Sequence, residues 1–234
     1  MISETKFSRY SSSTWRSLTP TMEIFVRKIN LELYEREFPL LVSNVDPSRR
    51  GFINEIAFQL FAETRIIPFV TKEAEERATS RARQLILRIE ESRPSDTSPL
   101  NFEEMRDAKE QLRRLGVFFE NEAKGATLEL SPAFAGCGII DACEGDVYFE
   151  NTLFEIKAGD RNFRSIDLRQ ILTYAALNYS QSMRTIDLVG LFNPRLGISF
   201  CMGLDELCLE VSGRPASHTL SEIIRVISSG EMSR

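Results

Sequence analysis

Two short apolar runs joined by Glu150-Asn151 constrain the fold of this chain more than any other feature. The runs, residues 147–149 and 152–154, read Val-Tyr-Phe and Thr-Leu-Phe. Asn tolerates a positive φ, and a two-residue turn is therefore favoured between the runs. Such a turn pairs the last residue of the first run with the first residue of the second. The sequence therefore predicts a β-hairpin with a fixed register.

This register brings charged side chains together at the open end of the hairpin. Asp146 is expected opposite Glu155, with Cβ atoms roughly 4.5–5.5 Å apart. Along the second strand, the period of two puts Glu155 and Lys157 on one face, and Phe154 and Ile156 on the other. Two carboxylates at that separation repel each other unless a cation lies between them. Because ligation by oxygen alone suits Mg²⁺ or Mn²⁺, we expect Asp146 and Glu155 to bind one of these ions.

The acidic-x-Lys pattern has meaning here only because of its context. It occurs four times in the chain, at Glu4-Thr-Lys6, Asp107-Ala-Lys109, Glu122-Ala-Lys124 and Glu155-Ile-Lys157. The first lies in a Ser-rich terminus, the second in a helical pattern and the third in a polar connection. Only the fourth lies in a strand-like run, where positions i and i+2 share a face.

The ordered set of Asp, Glu-x-Lys and a following helix resembles the core of the PD-(D/E)XK, or restriction-endonuclease-like, nuclease superfamily. The resemblance covers roughly residues 126–200. It implies an α/β fold in which a small mixed β-sheet is flanked by helices, here with a helical N-terminal extension. It also implies a set of catalytic residues, with Tyr174 in support because many members carry Gln-x-x-x-Tyr on the helix. These catalytic residues are Asp146, Glu155, Lys157 and Gln170.

Two further acidic positions remain open. Gly138-Ile-Ile-Asp141 resembles the Gly-x-x-Asp of the RecB-like branch, although the hairpin register favours Asp146 as the main ligand. Asp141 is then a loop acid or a third metal ligand. Many superfamily members also carry a Glu on an early helix that joins the metal or water. Glu55 is the best candidate for that supporting role and Glu104 the next.

The chemistry expected of these residues is phosphodiester hydrolysis. The metal would act as a Lewis acid on the phosphate and lower the pKa of a bound water. Lys157 would orient that water or stabilise the developing charge, and Gln170 would position the water or a phosphate. Guanidinium groups suit phosphate geometry, and three follow the second strand as candidate DNA phosphate contacts. These are Arg161, Arg164 and Arg169.

Composition is that of an ordinary globular protein, with 42% hydrophobic and 27% charged residues among 234. No apolar run approaches the ~20 residues that span a membrane. The N-terminus lacks an apolar signal region, and a cytoplasmic location is expected. The four cysteines contain no CxxC and are expected to be buried, reduced thiols rather than zinc or iron–sulfur ligands. The net charge of −5 predicts weak unaided affinity for DNA.

Patterning divides the chain at a linker, residues 93–99. Residues 1–100 form a helical region that serves assembly or packs against the core, and residues 101–234 form the nuclease-like domain. Helices are expected over residues 22–41, 53–64, 71–92, 101–115, 166–182 and 219–227. In the helix from 101, Asn101 is expected as N-cap, Glu104 at N3 and Gly116 as the stop. Strands are expected near residue 126 and over 184–192 and 197–202.

Together these features predict a Mg²⁺-dependent DNA nuclease, plausible in phage defence and restriction or in DNA repair and recombination. Its partners would be DNA and either a second copy of the chain or another protein bound through the N-terminal region, with no membrane. The main alternative is a non-catalytic, nuclease-like subunit that assembles with partners or positions DNA. An RNA-directed nuclease is a third possibility.

Overall fold

The computed structural model describes residues 1–10, 12–65, 70–89 and 96–230. Its helices are α1 Glu4–Ser8, α2 Ser12–Leu18, α3 Met22–Lys28, α4 Arg50–Thr64, α5 Lys72–Ile89, α6 Phe102–Ala123, α7 Ser165–Gln181, α8 Leu204–Ser212 and α9 Ala216–Ser229. A π-helical turn, Ile29–Leu33, extends α3, and a 3₁₀ turn, Pro47–Arg49, precedes α4. No helix in the described ranges is both long and apolar enough to cross a membrane.

A mixed sheet forms the centre of the molecule, as predicted. The strands are β1 Glu35–Arg36, β2 Glu129–Leu130, β3 Ala133–Phe134, β4 Cys143–Glu144, β5 Val147–Phe149, β6 Thr152–Ile156, β7 Leu188–Asn193 and β8 Ile198–Gly203. Six of them pair in the order β1-β8-β7-β6-β5-β2, and β3 pairs with β4 separately. Among these described strands only β6 and β7 run parallel, because α7 carries the chain back between them.

The two faces of the sheet are covered by different helices. Leu153 and Val189 pack into a core shared with α1, α3, α7, α8 and α9. Phe154 and Phe192 pack on the opposite face, in a core shared with α4 and α6. This alternation confirms the predicted faces of β6, since residues 153 and 155 point to one side and 154 and 156 to the other.

The first hundred residues contact both of these cores. Trp15 and Phe25 are buried in the α7 core, whereas Phe61 is buried against α6. The contacts seen for this region are thus those of packing against the C-terminal half of the chain. The start of the predicted linker, residues 93–95, and the end of the predicted helix, residues 90–92, lie outside the described residues.

Several predicted element boundaries are wrong. The helix expected over residues 22–41 gives way to β1, because Glu35–Arg36 pairs with β8 and becomes the edge strand of the sheet. Asn101 and Glu104 form the predicted capping box, but α6 continues past Gly116 to Ala123. Phe118 and Phe119 are buried against the sheet, and that packing outweighs the weak helix propensity of one glycine. Helix α8 and the β3–β4 pair were not predicted.

Candidate active site

The predicted hairpin is confirmed in turn and register. Glu150 and Asn151 have φ values of 39° and 65°, so both turn residues are left-handed. Phe149 pairs with Thr152, and the ladder continues to Val147 opposite Phe154. One step further out, the Asp146 side chain crosses the end of the hairpin, and its Oδ2 accepts a hydrogen bond of 2.6 Å from the backbone N–H of Ile156. The hairpin therefore fixes the position of this carboxylate.

A chain of hydrogen bonds joins β6 to α7. The Lys157 ammonium donates to Glu155 Oε1 at 2.8 Å and to Gln170 Oε1 at 2.7 Å. Gln170 Nε2 in turn donates to the Tyr174 hydroxyl oxygen at 2.8 Å. Gln170 and Tyr174 lie one turn apart on α7, the spacing at which helical side chains are neighbours. The structure thus brings these four predicted site residues together.

Negative charge exceeds positive charge at the centre of this group. Glu155 is 4% exposed, and its Oε2 has no hydrogen-bond partner among the described residues. Burial, followed by repulsion from Asp146, raises the pKa of Glu155 to about 8. Burial also raises the pKa of Asp146 to about 6, despite the attraction of Lys157. Burial lowers the pKa of Lys157, but the two carboxylates outweigh this effect and its net shift is upward.

Glu155 is buried and does not face open solvent. Its side chain lies under α7, since residues 153 and 155 face that helix. The cavity of about 230 Å³ at the end of β6 is instead lined by Asp146 and Lys157, together with Glu55 and Arg161. Solvent therefore reaches the group from the Asp146 and Lys157 side.

Glu55 and Glu104, the two early-helix candidates, differ in position. Glu55 lies in the cavity wall and accepts a hydrogen bond of 2.9 Å from Gln59. Burial raises the pKa of Glu55, and its charge in turn raises the pKa of Asp146. Glu104 is instead bonded to Arg49 at 2.8 and 2.9 Å and caps α6. Glu55 is the candidate that faces the site.

Asp141 is held in the loop between β3 and β4. Its backbone N–H donates to the carbonyl of Ile2 at 3.0 Å. Within the part of the chain that the structure describes, no three His, Cys, Asp or Glu side chains form a group that could hold a metal ion. Asp141 therefore does not complete such a group with Asp146 and Glu155.

The three arginines that are candidate phosphate contacts differ in their ion pairing and exposure. Arg161 lines the cavity, but its guanidinium makes two hydrogen bonds of 2.7 and 2.8 Å to Asp167. Arg169 donates to Glu23 at 3.1 Å, and burial lowers its pKa. Arg164 is exposed at the start of α7. Arg164 is thus the most accessible of the three.

Two contributions were missed by sequence reasoning. Glu4, on α1, adds to the repulsion that raises the pKa of Glu155. Asn54, next to Glu55, donates a hydrogen bond to the carbonyl of Ala158, the residue directly after Lys157. Neither residue carries a local signal, because each is separated from β6 by about a hundred residues or more of sequence.

The expectation of buried cysteines is met only by Cys208, since Cys137 and Cys143 are half-buried and Cys201 is exposed. All four are free thiols, and desolvation raises the pKa values of Cys143 and Cys208. A thiol with a raised pKa is a poor metal ligand and nucleophile at neutral pH.

Comparison of the chain with protein-family models found no match, and a search of curated proteins found none either. The geometry of the site is therefore the basis on which a function can be inferred.

Proposed function

We propose that this chain is a divalent-metal-dependent nuclease that hydrolyses phosphodiester bonds of DNA. The observation that carries the proposal is the convergence of Asp146, Glu155 and Lys157 at one end of the hairpin, with the Glu155 Oε2 buried and unpaired among the described residues. Such an arrangement is costly unless a cation compensates it. Mg²⁺ or Mn²⁺, held by Asp146 and Glu155, fits these hard oxygen donors. When bound, the ion would polarise the phosphate and lower the pKa of a water.

Lys157 is positioned to act on the reacting water or phosphate. An ammonium has three donors, and two of those of Lys157 are taken by Glu155 and Gln170. The third can meet a group that enters the cavity, which Lys157 lines. Gln170 accepts from Lys157 and donates to Tyr174, and both sides of its amide are fixed. In this role, Gln170 and Tyr174 hold the ammonium in place.

Substrate affinity would come from Arg164 and from a contribution outside the site. With Arg161 and Arg169 bonded to carboxylates and a net charge of −5, the described surface around the cavity offers phosphates little unpaired positive charge. A second copy or a partner protein would supply the rest of the grip. Restriction, phage defence, repair and recombination are settings in which such an assembly would act.

The proposal is tested by a cleavage assay with Mg²⁺ or Mn²⁺ on supercoiled, linear and single-stranded DNA. Wild-type protein should cleave at least one substrate, and Glu155→Ala and Lys157→Ala should not. Glu144→Gln is the matched control, because Glu144 is an exposed acid on β4, two residues before Asp146. If the wild-type protein cleaves none of these DNAs, or if either Ala variant cleaves at the wild-type rate, the catalytic proposal fails. Inactive protein that still binds DNA would instead support the non-catalytic subunit.

A further inference from the structure

Asn54 lies at the junction of three structural elements. Its Oδ1 accepts hydrogen bonds from Arg195 Nε at 2.8 Å and from Gln111 Nε2 at 3.0 Å. Its Nδ2 donates to the carbonyl oxygen of Ala158 at 2.7 Å. Asn54 therefore connects α4 to α6, to the β7–β8 turn and to the backbone directly after Lys157.

The partners of Asn54 determine the orientation of its amide. The groups of Arg195 and Gln111 that face Asn54 can only donate, so the atom between them must be the acceptor Oδ1. Nδ2 then has to face Ala158. Arg195 is itself fixed, because it is 1% exposed and bonded to Asp107 at 2.6 and 3.0 Å.

A buried ion pair of this kind adds little net stability, because the cost of desolvating the two charges offsets much of their attraction. Arg195 and Asp107 do, however, give Asn54 a rigid support. The pair, whose side chains are 1% and 4% exposed, is shielded from water. Its effect on the site is transmitted through the single Asn54 amide.

The segment after Lys157 is held from the other side as well. The Lys157 backbone N–H donates to Phe192 O at 2.8 Å, and Asn193 Nδ2 donates to Gly159 O at 2.8 Å. Asn54 supplies the bond to the carbonyl between these two points, at Ala158. The Lys157 side chain extends from this backbone to reach Glu155 and Gln170.

We propose that Asn54 is a positioning residue of the site, which fixes the backbone at Ala158 and so holds the Lys157 ammonium where it meets substrate. The proposal rests on the proposed nuclease function for its effect on catalysis, but its structural part can be tested separately. Asn54 also borders the cavity, but its amide is engaged by Arg195, Gln111 and the Ala158 carbonyl. Its effect on Lys157 therefore runs through the backbone at Ala158.

Asn54→Asp tests the bond to Ala158 alone. Aspartate keeps an acceptor for Arg195 and Gln111, whereas its second oxygen replaces the donor and repels the Ala158 carbonyl. We expect kcat to fall on the order of 10²-fold, the loss typical of a small misplacement, with KM for DNA nearly unchanged. Mn²⁺ binding, measured by calorimetry, should not weaken, because the substitution adds negative charge. Asn54→Ala, which lacks the added charge, should show the same fall in kcat.

Hydrogen exchange gives a readout that does not depend on cleavage. Amides of residues 157–161 should exchange faster in Asn54→Asp than in the wild type. Glu104→Gln is the control. It weakens a different buried ion pair, Arg49–Glu104, which joins the start of α4 to α6, and Glu104 does not contact residues 157–161. If Asn54→Asp leaves exchange at 157–161 unchanged, or if Glu104→Gln raises it equally, the positioning role is overturned. Faster exchange in a protein that cleaves no DNA would support the positioning role while the nuclease function fails. A variant with faster exchange and wild-type kcat would overturn the link to catalysis.

Discussion

Replacing Glu155 with Gln should make the metal-free protein more stable and abolish its stabilisation by metal. In the wild type, Asp146 and Glu155 share one ammonium, that of Lys157, and Glu155 Oε2 has no partner among the described residues. Glutamine has nearly the same shape but no charge. Asp146 and Lys157 then balance one to one, and the repulsion between the carboxylates disappears.

The size and pH dependence of this effect follow from the pKa of Glu155, which is about 8 in the folded protein and 4.5 as the ordinary value. Between these two pH values the unfolded chain releases the proton more readily than the folded one. The stability of the metal-free wild type therefore falls as pH rises from about 4.5 to about 8. At 1.36 kcal/mol per pKa unit, the loss by pH 8 is at most about 5 kcal/mol.

A smaller change is expected in practice, because Asp146 and Lys157 share the titration and the introduced glutamine leaves its amide in the same buried place. We take about 1–3 kcal/mol, a fraction of that upper bound, as the expected gain in stability at pH 8. For a chain of this size, each kcal/mol shifts the Tm by about 2–4 °C. The variant should therefore melt about 2–12 °C above the wild type at pH 8, with little difference near pH 5.

The measurement is thermal unfolding of the wild type and Glu155→Gln in EDTA at both pH values, repeated with Mg²⁺. Metal should raise the Tm of the wild type at pH 8 but not that of the variant. Glu144→Gln, an exposed acid nearby, should behave as the wild type throughout. If the variant is less stable than the wild type by the same amount at pH 8 and at pH 5, the buried charge is not the source of the instability.

Further predictions concern the other site residues and the N-terminal region. Lys157→Met should lower the Tm in EDTA, since two carboxylates lose the ammonium that they share, and Mg²⁺ should recover part of the loss; an unchanged Tm would contradict this. Asp146→Asn should abolish Mn²⁺ binding measured by calorimetry while Asp141→Asn retains it, and the reverse result would favour the RecB-like alignment. Arg164→Ala should weaken DNA binding and reduce its salt slope by about 1 if Arg164 contacts one phosphate. A chain that begins at residue 99 should fail to unfold cooperatively, because α3 and α4 fill cores on both faces of the sheet; a soluble, cooperative fragment would instead support an independent N-terminal module.

The part of the site that the sequence predicted is the part governed by local rules. The turn at Glu150-Asn151 requires two left-handed residues, and alternation then decides which side chains share a face. Those two rules led from residues 147–154 to the positions of Asp146, Glu155 and Lys157. Gln170 and Tyr174 were expected only from the resemblance to the PD-(D/E)XK superfamily, many of whose members carry Gln-x-x-x-Tyr on the helix that follows.

What the sequence did not predict depends on contacts between distant segments. The extension of α6 past Gly116 is decided by Phe118 and Phe119 against the sheet, which no local pattern reveals. The burial of Glu155 depends on α7 lying over β6. The bond between Asn54 and Arg195 spans 141 positions in the chain, a separation at which spacing carries no information.

Ion pairing of the arginines near the cavity limits how this site could hold DNA. Arg161 borders the cavity, but to bind a phosphate it must leave Asp167, whose side chain is 3% exposed. Leaving a buried carboxylate unpaired costs about 1–3 kcal/mol or more, as much as a charged hydrogen bond gains. Arg50 is likewise paired with Asp160. Arg164 is exposed and can bind a phosphate without breaking an ion pair with a buried carboxylate. One arginine, however, cannot hold a duplex at physiological salt. A nuclease built on this chain would therefore need further cations from a second copy or a partner, and its DNA affinity should rise with assembly.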